Sequence, residues 1–227
     1  QGRYKAMVVV NTPGQPGVSQ LATATFSLGG LPSAGFAAIP MWGVATADFS
    51  GIRPGESHDI GTIDLLRAMA KVEVLVSDEV ECDVTVDSLR MDRCPAAGYV
   101  APGRWDTLDA TDDLEFSSTL RVPAGAGYVP LAVKGGSLYL CEAVNSPAMP
   151  LEVTVHYSVD GEPLTGRVSI ARYAGGFPTD QLFDVVRNHI YRFVIKSVPA
   201  DGELKFNASI IDMIDGGSFN FEYDFDI

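Results

Sequence analysis

Three histidines, a run of aspartates, three cysteines and two tryptophans are the residues best equipped for chemistry here, and spacing decides what each can do. His58, His156 and His189 are scattered. A zinc or catalytic site built on histidine needs a pattern such as H-E-x-x-H, and none occurs. His156 falls on the outer face of an alternating segment and His189 sits beside Asn188, so surface placement is expected for both. Asp106, Asp109, Asp112 and Asp113 lie in the acidic run DTLDATDD. Calcium takes about six to eight oxygens from a tightly wound loop, and this run lacks the D-x-D-x-D-G spacing that winds one. A solvated linker is the expectation. No G-x-S-x-G elbow, P-loop or strand-linked G-x-G-x-x-G is present, and Gly125 to Gly127 reads as a turn. The chain is therefore expected not to be an enzyme, with no catalytic, metal or cofactor-binding residues and no cofactor.

Cys82 and Cys94 flank a strand-like run and Cys141 stands in LYLCEAV. They are too few for a disulfide scaffold and lack C-x-x-C spacing, so small buried thiols are expected. Trp42 and Trp105 could stack on sugars if exposed, but tryptophan is more often a core or interdomain anchor. Arg187 and Asn188 open a strand that turns apolar at once. Asparagine ties turns through local backbone bonds, and the pair reads as a corner. The sequon at Asn207 lies within a strand and carries no weight.

The elements that must position these residues are strands. The organising stretch covers residues 63–77, IDLLRAMAKVEVLVS. Ala70, Val72, Val74 and Val76 alternate with Lys71, Glu73 and Ser77, the period of a strand with one buried face. Leu65, Leu66, Met69 and Val72 would also share a helical face, but β-branched valines favour strand from Ala70 onward. Leu75 breaks the outer alternation, so the outer side is expected to be partly covered. This is the expected central strand of a sandwich. Residues 82–91 alternate too, and the acidic SDEVE joining the two predicts an antiparallel hairpin. Further strands are expected at 4–10, 21–28, 39–44 and 138–144. The segment LEVTVHYSV (151–159) alternates cleanly, with Asp160-Gly161 as hairpin turn and a return at 164–172. Residues 185–198 and 204–210 flank a second hairpin signal, Asp201-Gly202. One short helix is conceivable around 178–187.

With 227 residues, 46% hydrophobic and 20% charged, the chain has ample material for real cores. A net charge of −13 argues against nucleic acid and anionic lipid as partners. No apolar run is long enough to span a bilayer and no signal peptide is recognisable. The abrupt start in strand-like YKAMVVV points to an upstream segment removed beforehand. From 102 the texture turns polar and acidic, which places a domain boundary there. The expectation is all-β: an N-terminal sandwich over 1–106 and a C-terminal sandwich over 107–227.

Four motifs in order carry a resemblance: IPMWG (39–43), LLRAMAKVEV (65–74), LYLCEAV (138–144) and RNHIYRFVI (187–195). Together they resemble the fimbrillin-like proteins of the Bacteroidales, subunits of type V pili and their accessory proteins. Cys141 departs from the residue usual in its strand. The resemblance implies two tandem transthyretin-like antiparallel β-sandwich domains, export as a lipoprotein and display at the outer membrane surface. It also implies assembly with other pilus subunits, as homo- or hetero-polymer, by β-strand exchange after proteolytic removal of an N-terminal segment. Membrane attachment would then run only through an N-terminal lipid anchor, and a host or bacterial surface receptor is a further implied partner. The alternative is a cell-surface glycan-binding or glycan-processing lipoprotein on the same scaffold.

The last residues supply the candidate exchange segment. Phe219, Phe221, Tyr223, Phe225 and Ile227 share one face, and Asn220, Glu222, Asp224 and Asp226 the other. Burying one large side chain is worth about 1.5–3 kcal/mol, so five of them need cover. They either complete the C-terminal sandwich of their own chain or fill a groove in the next subunit. Acids on the second face suit the first case in the isolated chain.

Overall fold

The structure is a computed structural model that describes residues 2–12, 14, 16–28, 39–48, 50, 59, 62–108, 120–198 and 204–213. Alternating apolar residues and closely spaced turn formers give fifteen strands among these residues. They are β1 (Arg3–Val10), β2 (Thr25–Ser27), β3 (Met41–Asp48), β4 (Leu66–Arg67) and β5 (Ala70–Val76). Next come β6 (Val84–Pro95), β7 (Ala97–Tyr99), β8 (Tyr128–Lys134), β9 (Ser137–Leu140) and β10 (Glu152–Val159). The last are β11 (Glu162–Ser169), β12 (Ala171–Ala174), β13 (Phe177–Leu182), β14 (His189–Ser197) and β15 (Lys205–Asp212). A single 3-10 turn at Val18–Gln20 is the one helical element described. No helix among the described residues is long and apolar enough to cross a membrane.

Two four-stranded sheets face each other across one large core. The first has the order β15-β14-β5-β9 and the second β11-β10-β6-β8. Val72, Val74, Tyr191, Phe193 and Phe206 of the first meet Leu89, Met91, Val153, Val155 and Tyr157 of the second, all buried in one cluster. β5 is central, as its valines predict: it pairs antiparallel with β9 and parallel with β14, Val74 opposite Phe193. β10 and β11 form the predicted hairpin, with Asp160 and Gly161 both at positive φ as a D-G turn requires. β14 and β15 are the second antiparallel pair.

A smaller N-terminal body hangs from this sandwich. Its sheet is β1-β3-β4 and its core is the cluster Leu21, Trp42, Val44, Ala101 and Leu108, while the two-stranded sheet β2-β7 links it to the sandwich and buries Phe26 in the large core.

Three expectations change. β5 and β6 are not a hairpin, because they lie in different sheets. Residues 77–83 carry the chain from one layer to the other, so the inner faces of both strands meet across the core. A hairpin and such an arch share the same alternation, and only the number of apolar partners tells them apart. The conceivable helix at 178–187 is not helical: its first half belongs to β13, turned back onto β12 by Gly175 and Gly176, both at positive φ. Finally, the division at 106/107 separates hydrogen-bonded neighbours. β5 and β6 precede it, while their partners β8, β9, β10 and β14 follow it. A fall in hydrophobicity marks a loop, and a loop need not end a domain. The terminal segment 219–227, His58, Asp109, Asp112 and Asp113 lie outside the described residues.

Candidate functional site: an unguarded sheet edge

A sheet edge offers unpaired backbone groups, and proteins normally guard it with charge, proline, brevity or cover. Most edges here are guarded. β8 carries Pro130 and ends on Lys134, while β11 opens with Glu162 and Pro163. β9 is short, and β15 gives its Phe206 N–H to the carbonyl of Gly176 in the β12–β13 turn. β1 differs. It pairs with β3 on one side and with no strand among the described residues on the other. Its second half, Ala6, Met7, Val8, Val9 and Val10, has neither charge nor proline and is only half-buried. Met7 and Val9 pack on the small core below. The strand is held from its first half, where the Lys5 ammonium donates to the carbonyl of Leu108.

The other sequence candidates do not gather into a site. His156 faces outward on β10, its Nδ1 3.3 Å from Thr165 Oγ1. His189 Nδ1–H donates to the Arg187 carbonyl at 2.7 Å. Among the described residues no three His, Cys, Asp or Glu side chains stand together as metal ligands. Trp42 is completely buried at the centre of the small core and Trp105 packs beside it, the anchor role rather than a sugar platform. Asp106 is exposed next to that core.

Solved structures supply counterparts for nearly the whole chain. A candidate cell adhesion protein from Parabacteroides distasonis matches with TM-score 0.52 at 14% identity, over 96% of this chain and 78% of that one. The tip fimbrial protein Mfa3 from Porphyromonas gingivalis, solved with a C-terminal truncation, matches at 0.51 and 15% over 92% and 79%. A fimbrial assembly protein from Parabacteroides distasonis matches at 0.51 and 14% over 97% and 73%. The chain has the fold of Bacteroidales fimbrial and adhesion proteins. No protein-family model and no curated protein sequence matches it.

Within this fimbrial fold the four sequence motifs meet at the junction between the small body and the sandwich. Arg187 is completely buried and pairs with Glu142, equally buried, at 2.7 Å. Its guanidinium also donates to the carbonyls of Val100 (2.9 Å) and Tyr99 (3.0 Å), the latter in β7. The acid of LYLCEAV thus neutralises the arginine of RNHIY, and the arginine ties the backbone of residues 99–100, which leads into the small body, to the sandwich. Asn188 adopts φ 59°, the left-handed conformation that asparagine tolerates. Its N–H donates to Met69 O, its carbonyl accepts from Met213, and its side-chain oxygen accepts from Arg67 N–H. The Arg-Asn corner is real, and it is also a clamp. Tyr191 fixes the turn before it, its hydroxyl donating to Asp184 O at 2.6 Å and accepting from Val186 N–H at 2.8 Å. Burial pushes the Tyr191 phenol well above its ordinary range.

The remaining motifs pack around this point. Gly43 of IPMWG has no room for a side chain: a Cβ there would stand 2.8 Å from Ile63 Cγ2 and from Leu65 Cδ2, and closer still to the Asp64 carbonyl. On the outer face of β5, Glu73 is buried between Lys71 (2.6 Å) and Arg192 of β14. Burial raises the Glu73 carboxyl, but the hydrogen bonds and charges of Lys71 and Arg192 outweigh it and hold it below the ordinary carboxylate value. The pairing of Glu142 with Arg187 was the functional geometry missed from sequence. An acid inside the apolar run LYLCEAV and an arginine heading another apolar strand were its visible signal, since buried charges come in pairs.

Proposed function

We propose that this chain is a structural or adhesive subunit of a fimbria, of the type V-like kind, exported to the cell surface and joined to other subunits by β-strand addition. The edge of β1, which no strand among the described residues covers, carries the reading. A run of five uncharged, half-buried residues above a small core is poorly served by water, and an added strand would satisfy its backbone and enlarge its core. The likeness to fimbrial proteins over more than 90% of the chain supports it. The donor we assign is residues 219–227, whose Phe219, Phe221, Tyr223, Phe225 and Ile227 would lie along the acceptor. The two transthyretin-like units of such subunits would correspond here to the small body and the large sandwich.

Deleting residues 219–227 and, separately, replacing Val8→Lys test the two partners of one contact. Each variant is purified and scored for heat-resistant polymers on a gel after mild tryptic trimming. Folded monomers that no longer polymerise are expected from Val8→Lys, and mixing the two variants should not restore mixed polymer through the blocked edge. Polymer formed normally by Val8→Lys would refute β1 as the acceptor. Normal polymer from the deletion would refute the donor.

A further inference from the structure

Trp42 is completely buried, yet its indole N–H meets no hydrogen-bond acceptor among the described residues. Buried polar groups are almost always paired, so an orphaned donor calls for an acceptor from elsewhere. The fold meets comparable groups inside itself: the buried Asn145 amide donates to the carbonyls of Ile170 and Phe183, and the Tyr191 hydroxyl to that of Asp184. The register sets Trp42 close to the uncovered edge. Trp42 stands opposite Val9 of β1, and Val44 opposite Met7. Opposite residues of an antiparallel pair share a face, and all four pack in the small core, where Met7 and Val9 are only half-buried. A strand added beyond β1 would run about 4.8 Å from it and about 9.6 Å from β3. Two aromatic side chains leaning toward each other span that gap, and Met7, unbranched and adaptable, can re-pack to let them meet.

We propose that the Trp42 indole N–H donates to the Tyr223 hydroxyl of a neighbouring copy, and that this bond fixes the register of the added strand. The contact rests on the strand-addition reading above, with residues 219–227 as donor. Those nine residues match the eight of β1 in length. Their core-side face would be Phe219, Phe221, Tyr223, Phe225 and Ile227. Four of these five are hydrocarbon throughout. Tyr223, in the middle, brings the one side-chain oxygen to that face, and a phenol oxygen accepts as well as donates.

The donor sequence needs such a marker. A slip of one residue turns Glu222 and Asp224 toward the small core, and burying those unpaired charges forbids it. A slip of two residues is different, because it keeps an unbroken row of large apolar side chains on the core face. Phe221 or Phe225 then takes the place of Tyr223, the indole donor stays orphaned, and the phenol is carried away from its partner. Alternation thus excludes the odd slips, and the bond from Trp42 to Tyr223 excludes the even ones.

The test uses polymers of the full chain, formed after mild tryptic trimming, with every protein compared in a Trp105→Phe background. Trp42 is then the one indole left, since the chain has two tryptophans. Ultraviolet resonance Raman spectra of monomer and polymer read the hydrogen-bond state of its N–H. An unbonded N–H is expected in the monomer and a bonded one in the polymer. Tyr223→Phe keeps the apolar face and should still polymerise, but with the N–H unbonded and with polymers that dissociate on heating roughly tenfold faster. Combined with Trp42→Phe, Tyr223→Phe should cost nothing further. A bonded N–H in Tyr223→Phe polymer, an unchanged dissociation rate, or an N–H already bonded to water in the monomer would overturn the contact and leave strand addition standing. A parent chain that does not polymerise, or normal polymer from Val8→Lys, would overturn strand addition at β1 and this contact with it.

Discussion

Removing one partner of the Arg187–Glu142 pair should be among the most damaging single changes outside the hydrophobic core. Arg187→Met deletes the bonds to Glu142, Tyr99 and Val100. Glu142 is then left as a buried carboxylate whose remaining contact from this residue is the Arg187 main-chain N–H at 3.3 Å. Stranding a buried charge in this way costs about 3–5 kcal/mol. Against a total stability of about 5–15 kcal/mol that is a large fraction. With a urea slope near 2–3 kcal/mol per molar, the midpoint should fall by roughly 1–2.5 M. Glu142→Leu strands the guanidinium and should cost a similar amount. The double variant strands neither charge but leaves the Tyr99 and Val100 carbonyls without their donor, about 2–4 kcal/mol together. The two single losses should therefore exceed the double loss by at least about 2 kcal/mol. Urea titrations followed by intrinsic fluorescence give all three values. Single losses below about 1 kcal/mol, or strict additivity, would refute the clamp.

Two further outcomes follow from single contacts. Glu73 has a depressed carboxyl, so its contribution is present above the ordinary value of 4.5 and is lost as the pH falls through its lower folded value. Glu73→Gln should therefore be less stable than the parent at pH 7, with the gap closing on acidification; a gap that widened in acid would contradict the assignment. Gly43→Ala must push the 63–65 segment off β3, and its cost should be about 1–3 kcal/mol in a thermal melt. A neutral Gly43→Ala would show that the close approach is not real.

The strands were legible because alternation reports a buried face directly. Val153, Val155 and Tyr157 point inward, and Thr154, His156 and Ser158 outward, as their spacing requires. The partner of each strand was much less legible. Asp160-Gly161 names its own hairpin, because the turn residues and the pairing are local. Nothing local says that Val74 of β5 lies beside Phe193 of β14 in parallel. That pairing depends on how many strands remain to cover each face, which is a property of the whole chain. The boundary at 106/107 failed for the same reason, since polar composition near Asp106 reports exposure and says nothing about hydrogen bonds made elsewhere. The clamp was half legible: both charges stood out in apolar surroundings, but their meeting required the fold.

The clamp and the open edge are connected through one short stretch of backbone. Tyr99 ends β7, which pairs with β2 through Thr25; Val100 is buried in the large core, and Ala101 next to it lies in the small core under β1. Arg187 holds the carbonyls of Tyr99 and Val100 from the sandwich side. From the other side, Arg121 stacks on the Tyr99 ring at 3.7 Å and donates to the carbonyls of Ala101 and Ala22. Residues 99–101 are thus gripped by two arginines. A small body with so little core of its own gains order from the large sandwich through that grip. An edge strand can stay unguarded only if the sheet behind it is rigid enough to present one register. The buried ion pair offers direction and a single geometry where apolar packing alone would permit sliding, and it sits where the small body joins the rest of the molecule.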